Sequence, residues 1–151
     1  MEAMFAGCTN LLCLDLSNFN TENVKDMSSF FSNCKSLVSI NLSSFNTKNV
    51  TKMNYMLKGC DSLSYIDLSN FNIQNVTEME SMFGACNSII DLNLSSFTTR
   101  SSTKIDDMFT NSKFIKGGKI IANDARIKQK LNEVYNSENF NWLSFLVDKY
   151  F

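Results

Sequence analysis

The sequence lacks several features on which catalysis and membrane insertion usually depend. Its 151 residues include no histidine, the side chain that most often acts as an acid–base catalyst or metal ligand near neutral pH. There is no glycine-rich phosphate loop or nucleophile elbow, and no apolar run approaches the roughly 18 residues of a membrane-spanning helix. The net charge is −1 without a basic run, so nucleic acid is not expected as a partner. The composition therefore favours neither an enzyme nor a membrane-inserted segment.

A 26-residue unit that occurs four times and then decays is the main feature of the sequence. Equivalent positions are occupied by Cys8, Cys34, Cys60 and Cys86, with Ser112 at the next step. Such a period predicts stacked units that bury their apolar faces only against one another. Proline is absent, which agrees with stacked units because they need every backbone N–H. Since the chain begins inside a unit, we expect it to be a fragment of a longer repeat array.

Each unit contains a segment of alternating polarity, which predicts a short strand. In the second unit the apolar residues Ile40 and Leu42 alternate with polar residues that should face outward. Equivalent segments lie near residues 13–17, 39–43, 65–69, 91–95 and, in weaker form, 118–122. Because the units stack in one direction, these strands should be parallel.

A helix is predicted after each strand. The apolar residues that follow the second strand recur at helical spacing, and they are Val50, Met53, Met56, Leu57 and Cys60. Residues suited to helix N-caps precede this pattern, namely Asn23, Asn49 and Asn75. Residues that tolerate a left-handed C-cap follow it, namely Gly7, Asn33, Gly59 and Asn111. The predicted fold is an α/β solenoid, a leucine-rich-repeat horseshoe with short parallel strands, one helix per repeat and a helical C-terminal cap.

Two parts of the chain are expected from the position at which the period ends. Residues 1–122 should form the leucine-rich repeats, with four full units and a degenerate fifth, and residues 123–151 an α-helical C-terminal cap. A first cap helix is predicted for residues 125–135. The residues on its apolar face are Ile127, Leu131, Val134 and Tyr135. A second helix is predicted for residues 137–150, where an aromatic cluster should cover the last repeat or, alternatively, contact a partner.

The cysteines are predicted to be structural. Four of them share one phase of the repeat, and their spacing lacks the close Cys-x-x-Cys pairs of zinc sites. We therefore expect a buried column of small apolar side chains with free thiols, and no metal site. Cys13 lies outside that phase and is a candidate for a reactive surface thiol.

The outward strand positions are the candidate binding site. They form columns on the predicted concave sheet face, and the residues expected to bind a partner are Asp15, Ser39, Asn41, Tyr65, Asp67, Asp91 and Asn93. Tyr65 is the one aromatic residue among them and the best candidate anchor, because Tyr is enriched at interface hot spots. Two other interpretations stay open: a polar face that only keeps the array soluble, and a calcium ladder on the Asp/Asn column. No catalytic residues are predicted.

The repeat consensus resembles a known family over residues 1–116. It reads M-x-x-M/F-F-x-x-C-x-S-L-x-x-I/L-D/N-L-S-x-F-N-T-x-N-V-x-x and is similar to the BspA-type leucine-rich repeat of bacterial surface proteins. The resemblance implies a cell-surface or secreted protein that adheres to host or cell-surface proteins and needs no cofactor, although the sequence shows no signal peptide. We therefore expect a non-enzymatic protein-binding or adhesion module. The alternative is a structural spacer of a larger surface protein with no ligand of its own.

Overall fold

The computed structural model describes residues 1–136 of the chain. These residues contain three short strands, β1 (Tyr65–Asp67), β2 (Asp91–Leu94) and β3 (Ile120–Ala122), followed by the helix α1 (Ala125–Asn136). The strands form one open sheet in the order β1-β2-β3, and both pairs are parallel.

The strands predicted near residues 65–69, 91–95 and 118–122 are confirmed as β1, β2 and β3. No strand forms near residues 13–17 or 39–43; in the second of these segments only Ser39 contributes, through a single parallel bridge to Tyr65. The sheet is therefore shorter than the repeat array that carries it.

The prediction of a solenoid or horseshoe with one helix per repeat is wrong. Among the described residues the single α-helix is α1, and it follows the repeats. The segments predicted to be helical, residues 53–60 and their equivalents in the other repeats, consist of successive turns, and we call them the turn segments. A different element therefore connects the strands.

The backbone hydrogen bonds explain why the turn segments are not helical. The N–H groups of alternate residues donate to carbonyls of the next repeat, as those of Met53 and Tyr55 do to Glu78 and Glu80 at 2.8 and 3.0 Å. The N–H groups between them donate three residues back, as that of Met56 does to Met53 at 3.3 Å. Since half of the donors are used between repeats, the i→i−4 ladder of an α-helix cannot form.

The residues predicted to cap these helices have other roles. The side-chain amides of Asn49 and Asn75 donate to carbonyls of the preceding repeat at 2.8 and 2.7 Å, so the N-cap prediction is wrong for both. The predicted C-cap residues do have left-handed backbones, with φ of 70° at Gly59 and 60° at Asn33. They end turn segments rather than helices, and Tyr55 adopts the same conformation in mid-segment, with φ of 58°.

The helix predicted for residues 125–135 is confirmed as α1. Ile127 and Leu131 on its predicted apolar face are buried in the main core, and Val134 packs against it. Asp124 caps the helix, since its Oδ1 accepts the N–H groups of Arg126 and Ile127 at 2.9 and 3.0 Å. The second predicted helix, residues 137–150, lies outside the described residues, and the division of the chain at residue 122 stays a prediction.

Candidate functional site

The residues of β1 and β2 that were predicted to bind a partner lie on the outer face of the sheet. On β1, Ile66 is buried while Tyr65 and Asp67 on either side of it are exposed. On β2, Leu92 and Leu94 are buried while Asp91 and Asn93 are half-buried. This alternation is the normal two-residue period of a strand with one face against the core.

A shallow depression of about 520 Å³ lies on this outer face. Six of the seven predicted binding residues line it, namely Ser39, Asn41, Tyr65, Asp67, Asp91 and Asn93. Asp15 is exposed in the first repeat and does not line the depression. The structure thus brings most of the predicted site together on one surface.

Two further residues of the depression, Lys119 and Ile121, were missed by reasoning from the sequence. They lie on or beside β3, whose pairing with β2 matches Asn93 to Ile121. Asp91 and Lys119 are 28 residues apart, whereas the repeat period is 26, so the columns change phase at this step. The Gly117-Gly118 pair before β3 was the available signal for an insertion.

The Asp/Asn column has a structural role that repeats in each unit. The side-chain Oδ1 accepts the N–H group of a serine two residues further along, at 2.9–3.1 Å, in the pairs Asp15–Ser17, Asn41–Ser43, Asp67–Ser69 and Asn93–Ser95. The bond from Ser69 is also the main reason why the pKa of Asp67 is lowered. These side chains therefore stabilise the turn after the strand, as Asp and Asn commonly do.

The neighbouring column has no such repeated role. Its members in successive repeats are Cys13, Ser39, Tyr65 and Asp91, and Lys119 extends it beside β3. The Tyr65 side chain is 52% exposed, and its hydroxyl has no hydrogen-bond partner within residues 1–136. Asp91 accepts the backbone N–H of Lys119 at 2.7 Å.

Neither a metal site nor a membrane span is found in the part of the chain that the structure describes. Residues 1–136 contain no group of three or more His, Cys, Asp or Glu side chains placed to hold a metal ion. No helix among them is long and apolar enough to cross a bilayer. The local bonds of the Asp/Asn column give these side chains a structural role that needs no calcium ion.

The cysteine column is buried from the second repeat onward. Cys34, Cys60 and Cys86 are inaccessible, whereas Cys8 is exposed, so the prediction of a buried column is wrong for Cys8. The buried thiols donate to a carbonyl of the preceding repeat at 3.1–3.2 Å. Burial raises the pKa of Cys60, and it raises that of Cys86 to about 12, so these thiols are poor nucleophiles. Cys13 is exposed, and its reactivity stays a prediction.

One family model matches the chain, and it covers residues 1–120, from the first repeat to the start of β3. The chain belongs to the family described as "Mycoplasma protein of unknown function, DUF285". This is a family of BspA-like repeats, but the match supports nothing specific to BspA itself or to leucine-rich repeats. No curated protein and no solved structure matches the chain.

Proposed function

We propose that the protein is a non-enzymatic protein-binding module, and that it binds its partner through the outer face of the β1–β3 sheet. The observation that carries this proposal is the depression around Tyr65, an exposed aromatic side chain surrounded by short polar ones. A tyrosine with two rotatable side-chain bonds gains much contact area at little entropic cost, which is why it serves as an anchor in many interfaces.

The variation between repeats supports the same assignment. At the buried positions of the cysteine column the residue is Cys in three repeats and Ser in the next, because close packing constrains its size. In the column of Ser39, Tyr65 and Asp91 every repeat carries a different residue, although the three residues are paired in parallel register. A position that the fold leaves free and that varies in chemistry suits recognition of one particular partner.

For the setting, we propose a cell-surface or secreted protein that contacts host or cell-surface proteins, in the manner of BspA-type surface proteins. The support is the repeat consensus over residues 1–116 together with membership of a family of BspA-like repeats. The same support makes adhesion the most natural form of binding, with no catalytic residues and no cofactor required.

The test is an affinity capture in which one tyrosine is compared with another. The immobilised chain is exposed to solubilised surface and matrix proteins of host cells, and bound proteins are compared between Tyr65→Ala and the matched control Tyr55→Ala. Tyr55 is also exposed, at 41%, but it lies on a turn segment outside the depression. We expect a protein that is captured by the unchanged chain and by Tyr55→Ala and is lost with Tyr65→Ala.

A structural spacer is the second candidate, and the local bonds of the Asp/Asn column favour it. Because Asp67 and its equivalents stabilise turns, part of the polarity of the sheet face needs no ligand to explain it. A spacer predicts that capture is indifferent to both Tyr65→Ala and Asp91→Ala. That result would contradict the binding proposal and support the spacer.

A further inference from the structure

We infer that the partner places a cationic side chain, Lys or Arg, over the Tyr65 ring between the carboxylates of Asp67 and Asp91, an inference that rests on the proposed protein-binding function. No described residue covers the outer face of the sheet. The carboxylates and the Tyr65 ring on this face suit a positively charged group of the partner.

The strand register places the three side chains together. Tyr65 pairs with Asp91 across β1 and β2, whose backbones are about 4.8 Å apart in a sheet. Asp67 is two residues along β1 and therefore on the same face as Tyr65, about 7 Å away. A cation is attracted to an aromatic ring within about 6 Å of its centre, so one cation can reach the ring and both carboxylates.

The two carboxylates are held in place before any partner binds. Asp67 Oδ1 accepts the N–H of Ser69 at 2.9 Å, and Asp91 Oδ1 accepts the N–H of Lys119 at 2.7 Å. Each of these bonds comes from the backbone, so binding a cation costs little further side-chain ordering. The lowered pKa of Asp67 agrees with a carboxylate that stays charged at neutral pH.

Two acidic side chains elsewhere in the array form ion pairs with a lysine of the adjacent repeat. Glu22 pairs with Lys48 at 2.7 Å, and Glu78 with Lys52 at 3.6 Å. No ion pair involves Asp67 or Asp91 among residues 1–136, and the neighbours of Asp91 in its column are Tyr65 on one side and Lys119 on the other. The depression therefore holds two carboxylates and one ammonium group, that of Lys119, and neither carboxylate forms an ion pair.

Tyr55, the other exposed tyrosine among the described side chains, has a cation over its ring. The ammonium group of Lys58 lies over the Tyr55 ring, 5.1 Å from its centre. No cation of the described residues lies over Tyr65 in the same way. Lys119, on the far side of Asp91, lines the depression and should disfavour partners with a second positive charge on that side.

The experiment is an NMR titration of the full chain with two peptides of equal shape and different charge. The probe is acetyl-Gly-Gly-Arg-Gly-Gly-amide, and the control peptide carries citrulline in place of arginine. We expect shifts centred on the backbone amides of residues 65–67 and 91–93, and binding at least about fivefold weaker for the citrulline peptide. Asp91→Asn should weaken the arginine peptide by a similar factor, while Tyr55→Ala should leave it unchanged.

The possible outcomes separate this inference from the proposed function. Equal affinity for the two peptides, no binding of either, or shifts centred elsewhere would overturn the cation site. If capture of the host protein is still lost in Tyr65→Ala, the binding proposal stands and only the cationic partner is wrong. If Tyr65→Ala captures as the unchanged chain does, the proposed function fails, whatever the peptides do.

Discussion

The turn segments and the sheet face are formed by the same repeats, yet they differ in how much they vary. In the turn segments the buried positions keep nearly the same residue in each repeat, as the cysteine column shows. On the outer sheet face the column through Tyr65 changes chemistry at every step. The turn segments are bonded to both neighbouring repeats through several backbone groups, whereas the described strands are only three or four residues long.

This difference follows from what each side chain touches. A ring in a turn segment packs against its equivalents in adjacent repeats, as Phe83 does on Phe109 with parallel rings 5.4 Å apart. A change at such a position disturbs two further repeats, because the interior is close-packed. A change at an outward strand position disturbs solvent, a partner or, in the Asp/Asn column, a turn of the same repeat. Stability and recognition are therefore expected to depend on different sides of each repeat.

The largest difference in stability between a turn-segment variant and a sheet-face variant is expected for Phe83→Ala. Phe83 is completely buried, so its truncation should lower the free energy of unfolding by about 3–5 kcal/mol. Tyr65→Ala, which truncates a comparably large but exposed ring, should change it by no more than about 0.5 kcal/mol. Urea unfolding followed by circular dichroism measures both, and similar losses for the two variants would remove the distinction between the sides.

The sequence predicted which residues are buried and where three strands lie, but not the conformation of the turn segments. Periodicity identified the buried residues and three strands, because burial depends on which side chains face the neighbouring repeats. The spacing of Met53, Met56, Leu57 and Cys60 suits a helix, and it equally suits successive turns that bond three residues back. Turns form instead of a helix because half of the backbone N–H groups donate to the next repeat. Every residue here has a backbone N–H group whatever its side chain, so the side-chain pattern could not indicate this outcome.

The residues that line the depression were predicted to lie together where the period is strict, and they were missed where it changes. Tyr65, Asp67, Asp91 and Asn93 lie in phase, and the structure brings them together. Lys119 lies out of phase, because two extra residues precede β3, so extrapolating the 26-residue step assigned it no place on the face. The turn-stabilising bond of the Asp/Asn column was also missed, although Asp or Asn two residues before Ser is a known turn signal.

The next largest effect concerns Asp124, which joins α1 to the repeats. Its Oδ2 accepts the N–H and hydroxyl of Thr99 at 2.7 and 3.0 Å, while its Oδ1 caps α1. Asp124→Ala should therefore cost about 2 kcal/mol in urea unfolding, since it removes a cap and leaves the Thr99 donors unsatisfied. A loss below about 0.5 kcal/mol would show that α1 is held by its apolar contacts alone.

Asp124 also predicts how stability depends on pH. Burial raises its pKa, but the hydrogen bonds from Thr99 and from the start of α1 outweigh that effect and lower it overall. Its contribution is therefore complete above the pKa of an unfolded Asp, near 3.9, and is lost as the pH falls through the lower folded value. In unfolding curves measured from neutral to acidic pH, Asp124→Asn should lose less stability on acidification than the unchanged chain.

A smaller effect is expected in the cysteine column. Cys60→Ala removes a small buried group and its bond to the Phe31 carbonyl, and should cost about 1–2 kcal/mol. Cys60→Ser should be milder, because Ser112, two steps further along the same column, donates to the equivalent Phe83 carbonyl at 2.5 Å. Urea unfolding of both variants checks this order, and a larger loss for Cys60→Ser would show that the position requires an apolar side chain rather than a donor.

Changes at Asp67 should have the smallest effect on stability. They also separate the two roles of the sheet face, which are to stabilise turns and to bind a partner. Asn occupies the equivalent positions in neighbouring repeats and accepts the same bond, so Asp67→Asn should leave the free energy of unfolding at neutral pH within about 0.5 kcal/mol. Asp67→Ala loses the bond from Ser69 and should cost about 0.5–1 kcal/mol. Both variants remove the charge and should bind the arginine peptide equally weakly. If Asp67→Asn binds that peptide as the unchanged chain does, the Asp67 charge has no part in recognition, and the residue only stabilises the turn after β1.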